Sequence, residues 1–242
     1  MLIDRLTEHA PADSPALSRR GFLSIGAALG GGLLIGVGLG AMPEAAEAAP
    51  AGTPPWTPNA FVKIASDGRV TVTMGYIEMG QGTYTSVPML IAEELEVDLA
   101  AVRVEHAPPD DKLYGNPLLG FQVTGGSTTI RAAYEPLRRA GATARTVLVQ
   151  AAAQRWKVAP DSCKAARGEV VHAASGRRLK YGALVADAAK LLLPEKVALK
   201  APADFRLIGT PAKRLDSPAK VDGSALYGID AKVPGMKVAT LA

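Results

Sequence analysis

The sequence predicts an α+β fold in which long helices lie on a mixed sheet. Residues 60–74 alternate apolar and polar side chains on either side of a turn, which is typical of a β-hairpin. Residues 83–95 and 128–156 repeat apolar side chains every three or four positions, as amphipathic helices do. Residues 168–180 predict a second, shorter hairpin.

A strand and an extended loop separate the two long helices. The first helix directs four apolar side chains to one side: Val87, Leu90, Ile91 and Leu95. A strand is predicted at 101–106, and a loop at 107–127 contains three prolines. A loop of this length inside a compact domain is usually functional.

The second long helix contains a proline and a run of small residues. Pro136 is expected to kink the helix or to reset its start. Its small residues predict close packing against a sheet or a loop: Ala140, Gly141, Ala142 and Ala144. A helix is predicted at 181–191 and loop-like structure at 194–220. An apolar strand is predicted after Pro234-Gly235 without a partner strand following it, so we expect the polypeptide to be part of a longer protein.

Composition excludes several classes of protein. With 48% hydrophobic and 21% charged residues in 242, the chain is neither collagen-like nor a highly charged disordered protein. A net charge of +4 is too small to indicate nucleic-acid binding. The single cysteine, Cys163, excludes an internal disulfide and an iron–sulfur cluster held by cysteines of this chain. The three histidines lack the spacing of zinc ligands.

Residues 1–48 resemble a twin-arginine export signal. Ser18-Arg19-Arg20-Gly21-Phe22-Leu23 opens an uncharged, glycine-rich run that extends to Pro43, and Ala46-Glu47-Ala48 fits a small-x-small cleavage site. A retained transmembrane anchor is the alternative, since the run is long enough to span a bilayer. We expect a periplasmic or periplasm-facing membrane-associated protein, with residues 49–59 as a proline-rich tether.

The first motif that could carry chemistry is Glu78-Met79-Gly80-Gln81-Gly82-Thr83, whose centre is the turn Gly80-Gln81-Gly82. Glycines on both sides of Gln81 allow positive φ and a close approach of the backbone to a ligand. The turn leads into a helix N-terminus, whose free N–H groups attract anions. The alternative is a simple strand–turn–helix connection with Thr83 as the N-cap. Thr85 stands where the third glycine of a dinucleotide fingerprint belongs, so that fingerprint is absent.

The second motif, Gln122-Val123-Thr124-Gly125-Gly126-Ser127-Thr128-Thr129-Ile130-Arg131, spans the start of the helix at 128–156. Gly125 and Gly126 expose backbone amides, and the hydroxyls of Ser127, Thr128 and Thr129 follow. Amides and hydroxyls at a helix N-terminus suit a phosphate or pyrophosphate group. The alternative is that these hydroxyls only cap the helix, and that there are more of them than an N-cap requires. Two such motifs, each at a helix start, favour a ligand site.

The order of these motifs resembles a known family. “EMGQGT”, “IAEELEVD” and “GFQVTGGSTTIR”, between Glu78 and Val158, are similar to the molybdenum-binding large subunit of xanthine dehydrogenase/aldehyde oxidase-type hydroxylases, and to the isoquinoline 1-oxidoreductase β-subunit type in particular. Residues 206–236 resemble the start of that family's α/β hammerhead domain. The resemblance implies a partial molybdopterin-binding domain at 60–200 and a truncated hammerhead start at 201–242.

The resemblance also implies a cofactor and partners. The cofactor is molybdopterin with molybdenum, in its cytosine dinucleotide form, and the residues that bind it are Gly80, Gln81, Gly82, Gly125, Gly126, Ser127, Thr128 and Thr129. The intact enzyme is expected to hydroxylate an aldehyde or an N-heteroaromatic compound with oxygen from water. Electrons are expected to reach a separate [2Fe–2S] small subunit, with a c-type cytochrome as a candidate acceptor. No nucleic-acid partner is implied.

Some of the family's functional residues are not matched. The family's catalytic base is a glutamate near the far C-terminus of a longer chain, so no catalytic residue and no metal ligand is assigned here, and this chain alone is expected to be inactive. Glu93 and Glu94 are interpreted as a solvated helix face. Two alternatives remain open: an exported, non-enzymatic domain that binds a phosphorylated ligand, and a membrane-anchored structural protein.

Overall fold

The computed structural model describes residues 25–28, 32–36 and 60–240, with the backbone alone for the first two segments. Its larger sheet has five strands in spatial order 1-2-3-4-5. They are β1 (Ile25–Ala28), β2 (Gly32–Gly36), β3 (Ala60–Ile64), β4 (Val70–Met74) and β5 (Val102–His106). Neighbours from β1 to β4 are antiparallel, and β4 pairs with β5 in parallel. The α+β prediction and its first hairpin are confirmed.

Helix α1 (Thr83–Leu95) connects the parallel strands β4 and β5. The register pairs Met74 with His106, the last residues of the two strands. A β-α-β connection brings the carboxyl ends of both strands to one edge of the sheet, where ligands of α/β proteins commonly bind. The glycine-rich turn after β4 and the long loop after β5 therefore start side by side.

The longest helix, α3 (Thr129–Trp156), packs against α1. It continues through Pro136, so the predicted reset of its start is wrong. A Cβ placed on Gly141 would lie 2.6 Å from the carbonyl oxygen of Ile91. The close approach that the small residues predict is therefore confirmed, but the partner is another helix instead of a sheet or a loop.

A smaller antiparallel sheet follows α3. It comprises β6 (Cys163–Ala166), β7 (Glu169–His172) and β8 (Arg177–Lys180). The predicted second hairpin is confirmed as β7–β8, while β6, with the unremarkable sequence CKAA, was not predicted. Helix α4 (Tyr181–Ala188) returns to the core, and its Tyr181 hydroxyl donates a 2.7 Å hydrogen bond to the carbonyl of Leu95.

Two short α-helices lie in regions predicted to be loops. The loop after β5 contains α2 (Asp111–Tyr114). The loop-like structure predicted at 194–220 is wrong for its last four residues, because α5 (Ser217–Val221) begins there. The apolar strand expected after Pro234-Gly235 is wrong, because the described residues up to Thr240 are irregular there. No helix among the residues that the structure describes is both long and apolar enough to cross a membrane.

The solvated face predicted at Glu93 and Glu94 is also wrong. Glu93 is 1% exposed and Glu94 is 0% exposed. Glu93 accepts hydrogen bonds from the Lys200 ammonium at 2.7 Å and from backbone N–H groups of residues 206–208. These partners come from more than 100 positions further along the chain. The two carboxylates therefore fasten the segment 198–208 to α1.

Several sequence predictions concern residues outside the described part. The twin-arginine motif at 18–23, the cleavage site at 46–48 and the tether at 49–59 all lie there. The apolar run between them is described only at β1 and β2, where it forms strands.

Candidate functional site

The turn after β4 is shaped by its glycines and by one carboxylate. Gly80 and Gly82 have φ of 109° and 90°, a conformation that favours glycine. Gly82 is the N-cap of α1, so the alternative of Thr83 as the cap is wrong. The Glu78 carboxylate accepts hydrogen bonds from the N–H groups of Gly80 at 2.7 Å, Gly82 at 3.0 Å and Tyr84 at 3.0 Å. Glu78 thus caps the N-terminus of α1, whose N–H groups were expected from the sequence to attract an external anion.

Arg214 holds this carboxylate from the far end of the chain. Its guanidinium donates to Glu78 Oε1 at 3.0 Å and to the carbonyl of Gly80 at 2.8 Å, and it also binds Asp216. Partial burial alone would raise the pKa of Glu78, but the three backbone N–H groups and the Arg214 charge outweigh burial and lower that pKa. Glu78 is therefore an ionised structural group of the turn.

Gln81 is folded back onto the same turn. Its Oε1 accepts from the N–H of Met79 at 2.7 Å, and its Nε2 donates to the carbonyl of Ile77 at 2.8 Å. Both halves of the amide stabilise the loop. A Cβ placed on Gly80 or Gly82 would meet nothing within 4 Å, so the space beside the turn is open to a ligand.

The second predicted loop leaves donors free. Gly126 and Ser127 both have positive φ, 59° and 52°, which is uncommon for serine and points to a local constraint. Thr128 is held from both sides: its hydroxyl donates to the carbonyl of Gly125 at 2.7 Å and accepts from the buried Asn116 amide at 2.6 Å. In the described region, the N–H groups of residues 125–127 donate no intramolecular hydrogen bond. Successive free N–H groups in such a turn form an anion-binding concavity.

One hydrogen bond joins the two loops. The N–H of Ile77 donates to Thr124 Oγ1 at 2.8 Å, which ties the start of one predicted motif to the start of the other. Beside it lies a cavity of about 610 Å³ at the carboxyl ends of β4 and β5. Its lining includes Met74, Tyr76, Met79, His106, Asp110 and Gln122. None of the eight predicted cofactor-binding residues lines this cavity, which lies against the segments that precede them.

Four residues of this region were missed or left unassigned by sequence reasoning: Glu78, Asn116, Thr124 and Arg214. Glu78 and Thr124 lie within the two motifs, two positions before Gly80 and one before Gly125, so proximity in sequence was an available signal. Asn116 and Arg214 contact the motifs from a distance in sequence of 12 and 134–136 residues, and no local pattern indicates such contacts.

Replacing Glu78 by glutamine is expected to lower the free energy of unfolding at neutral pH by about 1–2 kcal/mol, because it weakens charge-assisted bonds at the turn. The folded-state pKa of Glu78 lies below its ordinary value of 4.5, so the contribution is present above that value and is lost as pH falls below it. The acid-induced loss of stability should therefore be shallower in Glu78→Gln, as measured by urea unfolding between about pH 6 and about pH 3.

The matched control for this variant is Glu195→Gln at an exposed carboxylate, which should change neither the stability nor its pH dependence. Identical acid profiles for Glu78→Gln and the wild-type chain would contradict the capping role.

Comparisons with known proteins identify the family. A family model described as the molybdopterin cofactor-binding domain matches residues 24–232. The chain is 38% identical over 260 residues to the isoquinoline 1-oxidoreductase β-subunit of Brevundimonas diminuta, which covers 91% of this chain and 32% of that protein. It is 36% identical over 244 residues to the membrane-bound aldehyde dehydrogenase [pyrroloquinoline-quinone] of Gluconacetobacter polyoxogenes, covering 96% of this chain and 30% of the relative.

A third relative extends the same pattern. The chain is 32% identical over 182 residues to a nicotinate dehydrogenase subunit of Pseudomonas putida, covering 73% of this chain and 14% of that protein. The chain thus spans about a third or less of the length of these relatives. The family model covers both glycine-rich loops and the cavity beside them. The chain belongs to the molybdopterin cofactor-binding domain family, of the type found in large subunits of the xanthine dehydrogenase family.

Proposed function

We propose that this domain binds the molybdopterin cofactor between its two glycine-rich loops, as one part of a larger oxidoreductase subunit. The Ile77–Thr124 hydrogen bond carries the proposal, because it brings the two loops together at the carboxyl edge of β4 and β5. Ligands of α/β proteins commonly bind at the carboxyl ends of such strands, which supports the proposal.

The residues present fit a phosphate-bearing cofactor. Free N–H groups at Gly125, Gly126 and Ser127 suit a phosphate, and the Ser127 hydroxyl lies beside them on an exposed loop. On the other side, Gly80 and Gly82 leave open space for a flat ring system to approach the backbone. Gln81 shapes that turn through its bonds to Met79 and Ile77. These residues would bind and orient the cofactor.

The bound cofactor would supply the molybdenum centre at which a substrate is oxidised with oxygen derived from water. We propose an aldehyde or an N-heteroaromatic compound as substrate, a [2Fe–2S] subunit as electron acceptor with a c-type cytochrome beyond it, and the cytosine dinucleotide form of the cofactor. The names of the relatives support this range, since they specify isoquinoline, an aldehyde and nicotinate. In this proposal the catalytic groups belong to the length that the relatives have beyond the part matched by this chain.

Two other cofactor assignments make different predictions. The aldehyde dehydrogenase relative is named for pyrroloquinoline quinone, which contains no phosphate and no molybdenum. A non-enzymatic domain that binds a phosphorylated ligand would use the free amides of residues 125–127 without a pterin. Elemental analysis for molybdenum, together with pterin and quinone analysis of the purified full-length holoenzyme, distinguishes the three.

Replacing Gly125 by aspartate is expected to lower molybdenum and pterin occupancy of the full-length holoenzyme at least tenfold, because the carboxylate repels a phosphate at close range. The backbone of Gly125 has ordinary φ, and a Cβ there would meet nothing within 4 Å, so the fold should tolerate the side chain. The measurement is the molybdenum content per mole of purified protein.

Gly125→Asn is the matched control, since it has nearly the same shape and no charge. It should retain most of the occupancy and have the same melting temperature as Gly125→Asp. Full occupancy in the aspartate variant would contradict a phosphate site at this loop.

We also propose that the protein is exported by the twin-arginine route. Ser18-Arg19-Arg20-Gly21-Phe22-Leu23 and the weakly apolar run after it support this proposal. A cofactor inserted before export agrees with a route that carries folded proteins.

A further inference from the structure

Two described strands of the N-terminal segment, β1 and β2, form part of the sheet. β2 pairs antiparallel with β3, with Leu33 opposite Ile64 and Ile35 opposite Val62. β1 pairs with the other edge of β2, with Ile25 opposite Ile35. By its sequence, the same segment matches the apolar part of an export signal. The small-x-small site predicts that such a signal would be removed after Ala48. Removal at that point would take both strands away from the fold.

β3 has the burial of an interior strand. Phe61 is buried on one face, and Val62 and Ile64 are buried on the other. β3 pairs with β4 on one edge and with β2 on the other. Without β2, the second edge of β3 would present a row of unpaired backbone N–H and C=O groups, which favours aggregation.

The helical layer covers β2 as well as β3. Helices α3 and α4 both contact β3, and both also contact β2. β2 therefore lies within the packed layers of the domain, under the same helices that enclose the core. A strand in this position stabilises the fold through its contacts with α3 and α4, whereas a loosely attached leader would not.

The sequence comparisons extend into the same segment. The family model begins to match at residue 24, one position before β1. The similarity to the Gluconacetobacter polyoxogenes protein covers 96% of the chain and omits about 10 residues, too few to leave out β1 and β2. The part of the chain that matches relatives therefore includes both strands and does not start after the small-x-small site.

We infer that β1 and β2 are retained in the mature protein as structural strands that complete the sheet beyond β3, and that the chain is not cleaved after Ala48. This inference rests on the proposed export, and the two are compatible because the motif Ser18–Leu23 precedes β1. The segment would then serve the export pathway through its arginines and the folded domain through its strands.

The N-terminus of the exported protein tests retention. The full chain with a C-terminal affinity tag is produced in a host with a twin-arginine pathway, and the periplasmic and membrane fractions are analysed by intact mass spectrometry. An N-terminus at or before Ile25 is expected, and any N-terminus beyond Ile25 overturns the inference. An Arg19→Lys, Arg20→Lys variant identifies the exported material, because it should remain in the cytoplasm.

A second experiment tests the strand role without export. Leu34 lies in β2 between two paired neighbours, so proline there removes a ladder hydrogen bond on one edge or the other. In protein purified from the cytoplasm, Leu34→Pro is expected to lower Tm by roughly 6–12 °C or to abolish soluble folding.

Leu226→Pro is the control, since Leu226 is 87% exposed and its N–H makes no hydrogen bond within residues 60–240. It should melt within about 2 °C of the parent chain. Equal Tm values for the two proline variants overturn the inference even if export fails. Failure of export alone, with Leu34→Pro destabilised, contradicts only the export proposal.

Discussion

Replacing Glu94 by glutamine is expected to lower the free energy of unfolding by about 3–5 kcal/mol, because it leaves a buried guanidinium without its counter-charge. The Glu94 side chain is fully buried, and Arg138, whose side chain is 8% exposed, donates to it at 2.7 and 2.9 Å. Arg145 approaches the same carboxylate at 3.4 Å, and the N–H of Lys200 bonds to both of its oxygens at 3.2 Å.

The loss of stability should affect the whole fold and, in addition, the attachment of the segment 198–208. Arg138 also donates to the carbonyl of Lys200 at 2.7 Å, so Glu94 orients the side chain that holds the segment 198–208. We therefore expect urea unfolding to show a lower midpoint, and limited proteolysis under native conditions to cut this segment faster.

The control is Glu135→Gln, which breaks an exposed pair with Arg139 on the same helix. Side chains that are 62% and 51% exposed are screened by solvent, so the expected loss is below about 0.5 kcal/mol. If the two glutamine variants lose equal stability, burial of the Glu94 cluster contributes nothing beyond a surface ion pair.

Replacing Gly141 by alanine is expected to destabilise the protein by about 2 kcal/mol, although alanine favours helix formation by about 1 kcal/mol. The added Cβ would lie 2.6 Å from the carbonyl oxygen of Ile91 and 3.0 Å from the Cβ of Glu94. The nearest atom belongs to the backbone of α1, so α1 and α3 must separate to accommodate a methyl group. The steric cost therefore exceeds the gain in helix propensity.

Urea unfolding of Gly141→Ala measures this balance, with an unchanged m value if only the native state is affected. Gly228→Ala is the control, because a Cβ there would meet nothing within 4 Å and its φ is ordinary. A more stable Gly141→Ala variant would show that propensity outweighs the helix contact and that the α1–α3 distance is adjustable.

Local patterns predicted the elements that depend on nearby residues. The β3–β4 hairpin follows from alternation around a turn, and α1 and α3 follow from apolar residues at three- and four-residue steps. β6 was missed because four residues of sequence CKAA have no alternation to detect, and they form a strand only beside β7.

The candidate site was predictable in its loops but not in its hydrogen bonds. Glycines before two helices indicated both loops, and the structure joins their starts through Ile77 and Thr124. That Glu78 occupies the N–H groups of one loop depends on a side-chain conformation supported by Arg214, which is 136 residues away. The eight residues assigned to the cofactor stay a prediction, which the Gly125 variants test.

The sequence by itself determined the α+β class, the long helices, the first hairpin and the family resemblance, because each depends on short-range periodicity or on motif order. Only the tertiary structure decided which charged side chains are buried and which strands pair with each other. Glu93 and Glu94 look like a solvated pair along the helix, yet they are buried because Lys200 and Arg138 reach them from distant segments. The apolar run before residue 37 matches a leader in composition, yet its residues 32–36 form a strand that pairs with β3. A strand needs a partner on its edge, and no local pattern reveals that partner.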